Sequence, residues 1–230
     1  MSEEHDAAAA SGLALALRAP APSERLQAAL AAGTNPKTTY VDVLIDRCVV
    51  EPDFFVRDTL TWALMRHDPE TTVERLIDEL GSVFPQARSQ ALHTLSKIRD
   101  PRTWSAVTPA LLEDDEDQVA RAAWRTAAGC VPADEARALA DRLAKQFGRG
   151  DHDMRHSLTR AFATIGESAL PAAEQAAAPT TQGTVPHASI ARAHALATVR
   201  IMHDPELEFG QAMAEARRSL DAPGTPDALS

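Results

Sequence analysis

The sequence predicts an all-α fold, a right-handed α–α superhelix built from about five antiparallel helix pairs with a cap at each end. Three observations predict it. Apolar residues make up 44% of the 230 positions but aromatics only 4%, and an alanine-rich, aromatic-poor chain suits close helix packing rather than sheets. There is no sustained alternation of apolar and polar residues and no Asn-Gly or Asp-Gly hairpin signal. Finally, one helical motif recurs along the chain.

The motif is an aliphatic residue followed by Arg and then an apolar stripe. Its copies begin at Val56-Arg57, Ala87-Arg88, Ala120-Arg121, Met154-Arg155 and Ala191-Arg192, with a weaker first copy at Glu24-Arg25. The arginines, Arg25, Arg57, Arg88, Arg121, Arg155 and Arg192, are separated by 32, 31, 33, 34 and 37 residues. After each Arg, apolar residues fall three, six and seven positions on, or nearly so: Leu60, Ala63 and Leu64 in one copy, Leu158, Ala161 and Phe162 in another. That spacing places them on one helical face.

A second amphipathic segment precedes each of these helices: Tyr40 to Val50, Thr72 to Leu80, Thr103 to Leu112, Asp134 to Phe147, and a poorer one near Ser168 to Ala178. The unit is therefore a leading helix, a short turn and a second helix that carries the Arg. The connections between pairs read His67-Asp68-Pro69, Arg99-Asp100-Pro101 and His203-Asp204-Pro205, where Asp suits an N-cap and Pro the first helical position. The turns inside the pairs carry Pro52-Asp53, Pro85, Asp114 to Asp117, Asp151 to Asp153 and Pro186. A single domain is expected over 21–220. A half-repeat, Ser23 to Ala32, and a final helix, Pro205 to Ser219, serve as caps, and 1–20 and 221–230 are flexible segments.

An acidic or proline turn, then aliphatic-Arg-x-x-Ala/Leu, then an apolar pair resembles the HEAT-repeat family, in particular its short bacterial form related to the lyase repeats, over about residues 23 to 203. The resemblance implies that motif Asp and Arg residues link neighbouring units: Asp53 with Arg57, Asp117 with Arg121, and Asp151 or Asp153 with Arg155. The Arg88 copy has no Asp in its turn, and the Arg192 copy follows a loose segment, Pro179 to Pro186, so that repeat is expected to be the least regular. The resemblance also implies that the second helices line a concave surface.

The charge is −10, from 33 acids against 23 bases, which counts against a nucleic-acid partner. The start, Met-Ser-Glu-Glu-His-Asp, lacks the basic opening and long apolar region of a secretory signal, and no stretch approaches the ~20 apolar residues of a membrane span. A cytoplasmic location is expected. Cys48 and Cys130 stand far apart on apolar stretches and read as buried thiols.

Four sets of residues are candidates for function. The arginine series resembles a phosphate-binding ladder, but structural bonding between repeats is the stronger reading. Positions one and five after the motif Arg share a helical face, which gathers Asp58, Trp62, Ser89, His93, His156 and Arg160, with Arg125 close by, as a recognition surface. His152 and His156 have the i, i+4 spacing of metal ligands, but no third ligand is evident and Asp153 serves better as a cap. The run Glu113 to Asp117 has neither the spacing nor the glycine of a calcium loop.

No glycine-rich phosphate loop, G-x-S-x-G or Cys–His pair is present, so no catalytic residue, metal or cofactor is expected. The function expected is a non-catalytic module that binds a protein partner on the second-helix face. The alternatives are an enzyme, as the resemblance to HEAT-like DNA glycosylases of the AlkD type and bilin lyases would imply, and a small-molecule sensor. The oligomeric state is left open.

Overall fold

The computed structural model describes residues 2–179 and 186–221. They form fourteen α-helices and two short 3-10 helices, with no strand among the described residues. The chain divides into two compact units, Met1–Cys130 and Val131–Ser230.

Unit 1 holds α1 (Ser2–Ala16), α2 (Pro22–Thr34), α3 (Tyr40–Val50), α4 (Phe54–Leu64), α5 (Pro69–Glu79), α6 (Pro85–Ile98), α7 (Arg102–Ala106), α8 (Pro109–Leu112) and α9 (Asp117–Cys130). The Arg-bearing second helices are α2, α4, α6 and α9; α2 packs on α4, and α6 on α9. The leading helix α3 packs on α4 and α6, and α5 on α6. Leu60, Ala63 and Leu64 are wholly buried, as are Leu92, Leu95 and Trp124. Each leucine buried in this way contributes about 1.5–3 kcal/mol. Asp53 caps α4 by accepting from the Phe55 and Val56 amides, and Asp68 caps α5 through Thr71.

Three features of unit 1 depart from the sequence reading. The first twenty residues, expected to be flexible, contain α1, which places Leu13 and Leu17 in the core. Lys37 pairs with Asp6 on the same helix. The expected half-repeat is thus the second member of a whole pair. The leading helix expected from Thr103 to Leu112 is broken in two, because Pro109 cannot donate a backbone hydrogen bond and holds Thr108 in an extended conformation. At Asp100-Pro101 the aspartate accepts from the Arg102 amide and pairs with the Arg102 guanidinium, so α7 starts one residue late.

Unit 2 holds α10 (Ala136–Leu143) with a 3-10 extension (Ala144–Gln146), α11 (His152–Ile165), a 3-10 turn (Gly166–Ala169), α12 (Leu170–Ala177), α13 (Pro186–His203) and α14 (Phe209–Asp221). α13 is the hub of this unit and packs on α11, α12 and α14. The final helix was expected from Pro205. It starts at Phe209 because the Asp204 carbonyl accepts from the Leu207 amide and its side chain from the Glu206 amide, which folds 204–208 as a turn. Phe209, Ala212, Met213 and Ala216 then close a core against Ala193 and Ala197. Gly148 has φ +88, and a Cβ there would lie 2.9 Å from the Ala191 backbone, so this close approach to α13 requires glycine. The loose segment and the C-terminal tail fall, at 180–185 and 222–230, outside the described residues.

Cys48 is buried and its thiol is pushed up to about 12, chiefly by desolvation. Cys130, half-buried, donates to the Thr126 carbonyl.

Candidate functional site

The motif arginines point back at the turn that precedes their own helix. Arg25 donates to the carbonyls of Ala19 and Pro20, Arg57 to those of Glu51 and Pro52, Arg88 to Ser82 and Arg155 to Gly150. In each case the acceptor lies five or six residues before the Arg. The guanidinium thereby helps to satisfy the carbonyls of the turn. Arg192 reaches the Ala177 carbonyl instead. Arg121 is exposed.

Two of the arginines also reach the next pair. Arg25 binds Glu51 through Nε and Nη2, both at 2.8 Å, and Arg88 binds Asp114 through Nε at 3.0 Å and Nη2 at 2.8 Å. Glu51 and Asp114 thus link Arg25 and Arg88, the two copies for which the resemblance named no acid. Asp53 and Asp151 instead cap helices. Glu51 is wholly buried and accepts in addition from Arg47 and the Asp53 amide. Burial opposes its ionisation, but the hydrogen bonds from Arg25, the Asp53 amide and Arg47 prevail and hold its carboxyl at about 2.

The recognition residues expected on the second helices fall into three places. Asp58, Ser89, His93 and Arg125, from α4, α6 and α9, line one groove of about 210 Å³ in unit 1, together with Gln90 and Gln118. His93 is held below its ordinary pKa by burial and by Arg125 and Lys97, with Asp58 opposing, so it is neutral at pH 7. The groove therefore offers amide, hydroxyl and imidazole groups beside charges of both signs.

Trp62 does not line that groove. It is 40% exposed and rests on Gly33 of α2, where a Cβ would come within 2.4 Å of its Cζ3. Asp58 and Trp62 stand one turn apart on α4, with Asp58 lining the groove and the Trp62 ring packed toward α2.

Beside the groove lies an apolar edge. Val50, Phe54, Phe55, Val83 and Phe84 are all at least 60% exposed and flank two successive turns, before α4 and before α6. Phe54 and Phe55 meet edge to face at 5.7 Å. Gln86 joins the two turns by donating to the Cys48 and Glu51 carbonyls, and Phe54 and Gln86 both line the groove.

His156 and Arg160 lie in unit 2, in a cavity of about 940 Å³ bounded by α11, α12 and the connection from α13 to α14. The His156 ring stacks on Phe209 at 4.9 Å and 14°, and His152 meets the same phenyl ring edge-on at 5.1 Å. Burial, then Arg160 and His152, lower the pKa of His156. Among the described residues no group of three or more His, Cys, Asp or Glu is placed to hold a metal ion.

No protein-family model matches the sequence, and no curated protein matches it. Among solved structures, the fold is similar to human deoxyhypusine hydroxylase in complex with glycerol, at TM-score 0.44 and 14% identity over 95% of this chain and 96% of that one. It is also similar to the complex of CpcE and CpcF of phycocyanin lyase from Nostoc sp. PCC7120, at TM-score 0.39 and 17% identity over 92% of this chain and 94% of that one. Likenesses this distant do not bear on what the chain does.

Sequence reasoning looked for function after the motif Arg and so missed the apolar edge before it. The signal was present: a pair of large apolar residues stands within five positions before the motif Arg in two successive copies, Phe54-Phe55 before Arg57 and Val83-Phe84 before Arg88. Asp114, read as part of a solvated acidic run, is half-buried against Arg88.

Proposed function

We propose that the chain is a protein-binding module and that its docking surface is the apolar edge of unit 1 with the groove beside it. The supporting observation is the exposure of Phe54, Phe55, Val83 and Phe84 at 66%, 70%, 83% and 60%. Large apolar side chains crowded in this way cost solvation unless a partner covers them, and aromatic anchors rimmed by polar groups are what protein interfaces use. The occupant fitted by this chemistry is a protein segment that lays apolar side chains on the phenylalanines. Its main chain would then meet the amides of Gln90 and Gln118 and the charges of Asp58 and Arg125. A net charge of −10 disfavours nucleic acid in the same place.

The experiment is affinity capture from cell extract at low and high salt, comparing wild type with Phe54→Ser/Phe84→Ser. Both positions are exposed, so the variant keeps the thermal melt of wild type. A protein retained at high salt by wild type and lost by the variant is the expected result. Equal recovery by both, or recovery of nucleic acid alone that disappears with salt, overturns the reading.

A further inference from the structure

The cavity of unit 2 has the volume of a ligand site: about 940 Å³, within the roughly 300–1,000 Å³ of small-molecule pockets. One wall is apolar. Ile201 and Leu207 face it from the outer side of the core built on Phe209, and Ala163 and Leu170 extend it from α11 and α12.

The polar lining is unbalanced. Glu167 follows the turn at Gly166, and Glu206 and Glu208 stand on the connection before α14. Among the described residues none of these carboxylates forms an ion pair. Against the three, Arg160 is the one permanently charged base in the lining. His156, below its ordinary pKa and stacked on Phe209, adds no charge at neutral pH. Gly166 shapes the rim with φ +80 and ψ −150, a conformation open essentially to glycine alone.

A cleft lined mainly by one sign of charge with low-dielectric walls concentrates ions of the opposite sign. An anion would face three carboxylates. A bare metal ion would gain nothing from the apolar wall, and the carboxylates are not grouped to chelate one. We propose that this cavity binds a small organic cation with an apolar body, an alkyl- or arylamine. The ammonium pairs with Glu206 and Glu208, and the body lies on Leu170, Ile201 and Leu207. The site lies in unit 2 and its test uses none of the unit-1 variants, so it stands or falls apart from the docking surface.

The test is calorimetric titration of the full chain with isosteric pairs that differ in the sign of charge: tryptamine against indole-3-propionate, and phenethylamine against 3-phenylpropionate. Two variants accompany wild type, Glu206→Gln/Glu208→Gln, whose positions are exposed, and Leu170→Trp, which fills the cavity. The expected result is that an amine binds and its carboxylate partner does not, with affinity reduced about tenfold or more by each variant. Failure of both amines to bind, equal binding of the carboxylates, or binding that neither variant weakens overturns the proposal.

Discussion

Arg25 and Glu51 form a two-bond ion pair with both contacts at 2.8 Å, and the pair is almost wholly withdrawn from water, Arg25 at 6% and Glu51 at 0% exposed. It ties α2 to the turn between α3 and α4. Five donor contacts converge on the two Glu51 oxygens. Two guanidiniums and an amide are thereby compensated by one carboxylate.

Removing that carboxylate leaves Arg25 and Arg47 facing each other with their shared acceptor gone. Glu51→Ala is expected to destabilise unit 1 by about 3–5 kcal/mol, the usual cost of breaking a buried pair on one side. Asp58→Ala, at an exposed groove position, should stay within about 0.5 kcal/mol of wild type. Urea unfolding followed by the fluorescence of Trp62, Trp104 and Trp124 measures both, and a loss below about 1 kcal/mol for Glu51→Ala would contradict the role assigned to it.

The pH dependence of stability has two windows. His194 is wholly buried and accepts from the Gly148 amide at Nδ1, so its hydrogen sits on Nε2 and points to the Arg155 carbonyl. Burial, only partly offset by that backbone bond, holds it at about 3. The unfolded chain takes up this proton near pH 6.5 and the folded chain does not, so stability falls as pH drops from about 6.5 toward 3, by at most about 1.4 kcal/mol per pH unit. Glu51 acts in a lower window: its carboxylate is stabilised by folding, and that contribution is lost as pH falls from its ordinary value toward 2. Unfolding curves between pH 7 and 5 should show a steeper first slope in wild type than in His194→Asn, which keeps only the contributions of His93 and His156. An equal slope in both would refute the assignment.

Gly33 is required by the ring of Trp62. A methyl group there would come within 2.4 Å of Cζ3 and 2.9 Å of the Ala63 Cα, and the backbone atom cannot swing aside. Gly33→Ala should therefore cost about 1–3 kcal/mol despite the better helix propensity of alanine, and should shift the Trp62 emission. A variant as stable as wild type with an unchanged spectrum would show that the ring does not rest there.

What could be read from the sequence followed physical range. The stripe Leu60, Ala63 and Leu64 obeys helical periodicity, which depends only on neighbours along the chain, and the all-α class followed from its repetition. The caps at Asp53 and Asp68 are likewise local. The helix from Ser2 to Ala16 escaped because its core residue Leu13, and Leu17 just after it, belong to an alanine-rich run with little polar contrast. The pairing of Arg25 with Glu51 and of Arg88 with Asp114 depends on which turns become neighbours, so no acid was expected for either arginine. The groove of Asp58, His93 and Arg125 was legible as a helical face, yet the same rule placed Trp62, His156 and Arg160 with them. Trp62 is held away by its packing on Gly33, and the other two belong to unit 2. The cavity escaped because its acidic rim stands on the 204–208 turn, where a helix was expected.

The measurement that bears most directly on the docking surface is site-specific photocrosslinking in the native cell. A benzophenone side chain is placed at position 84, on the apolar edge, and in a separate protein at exposed Gln211 of α14. Discrete adducts to a protein from position 84 and none of the same adducts from position 211 are the predicted result. No adduct at 84, or the same adducts from both positions, would contradict a partner seated on Phe54, Phe55, Val83 and Phe84.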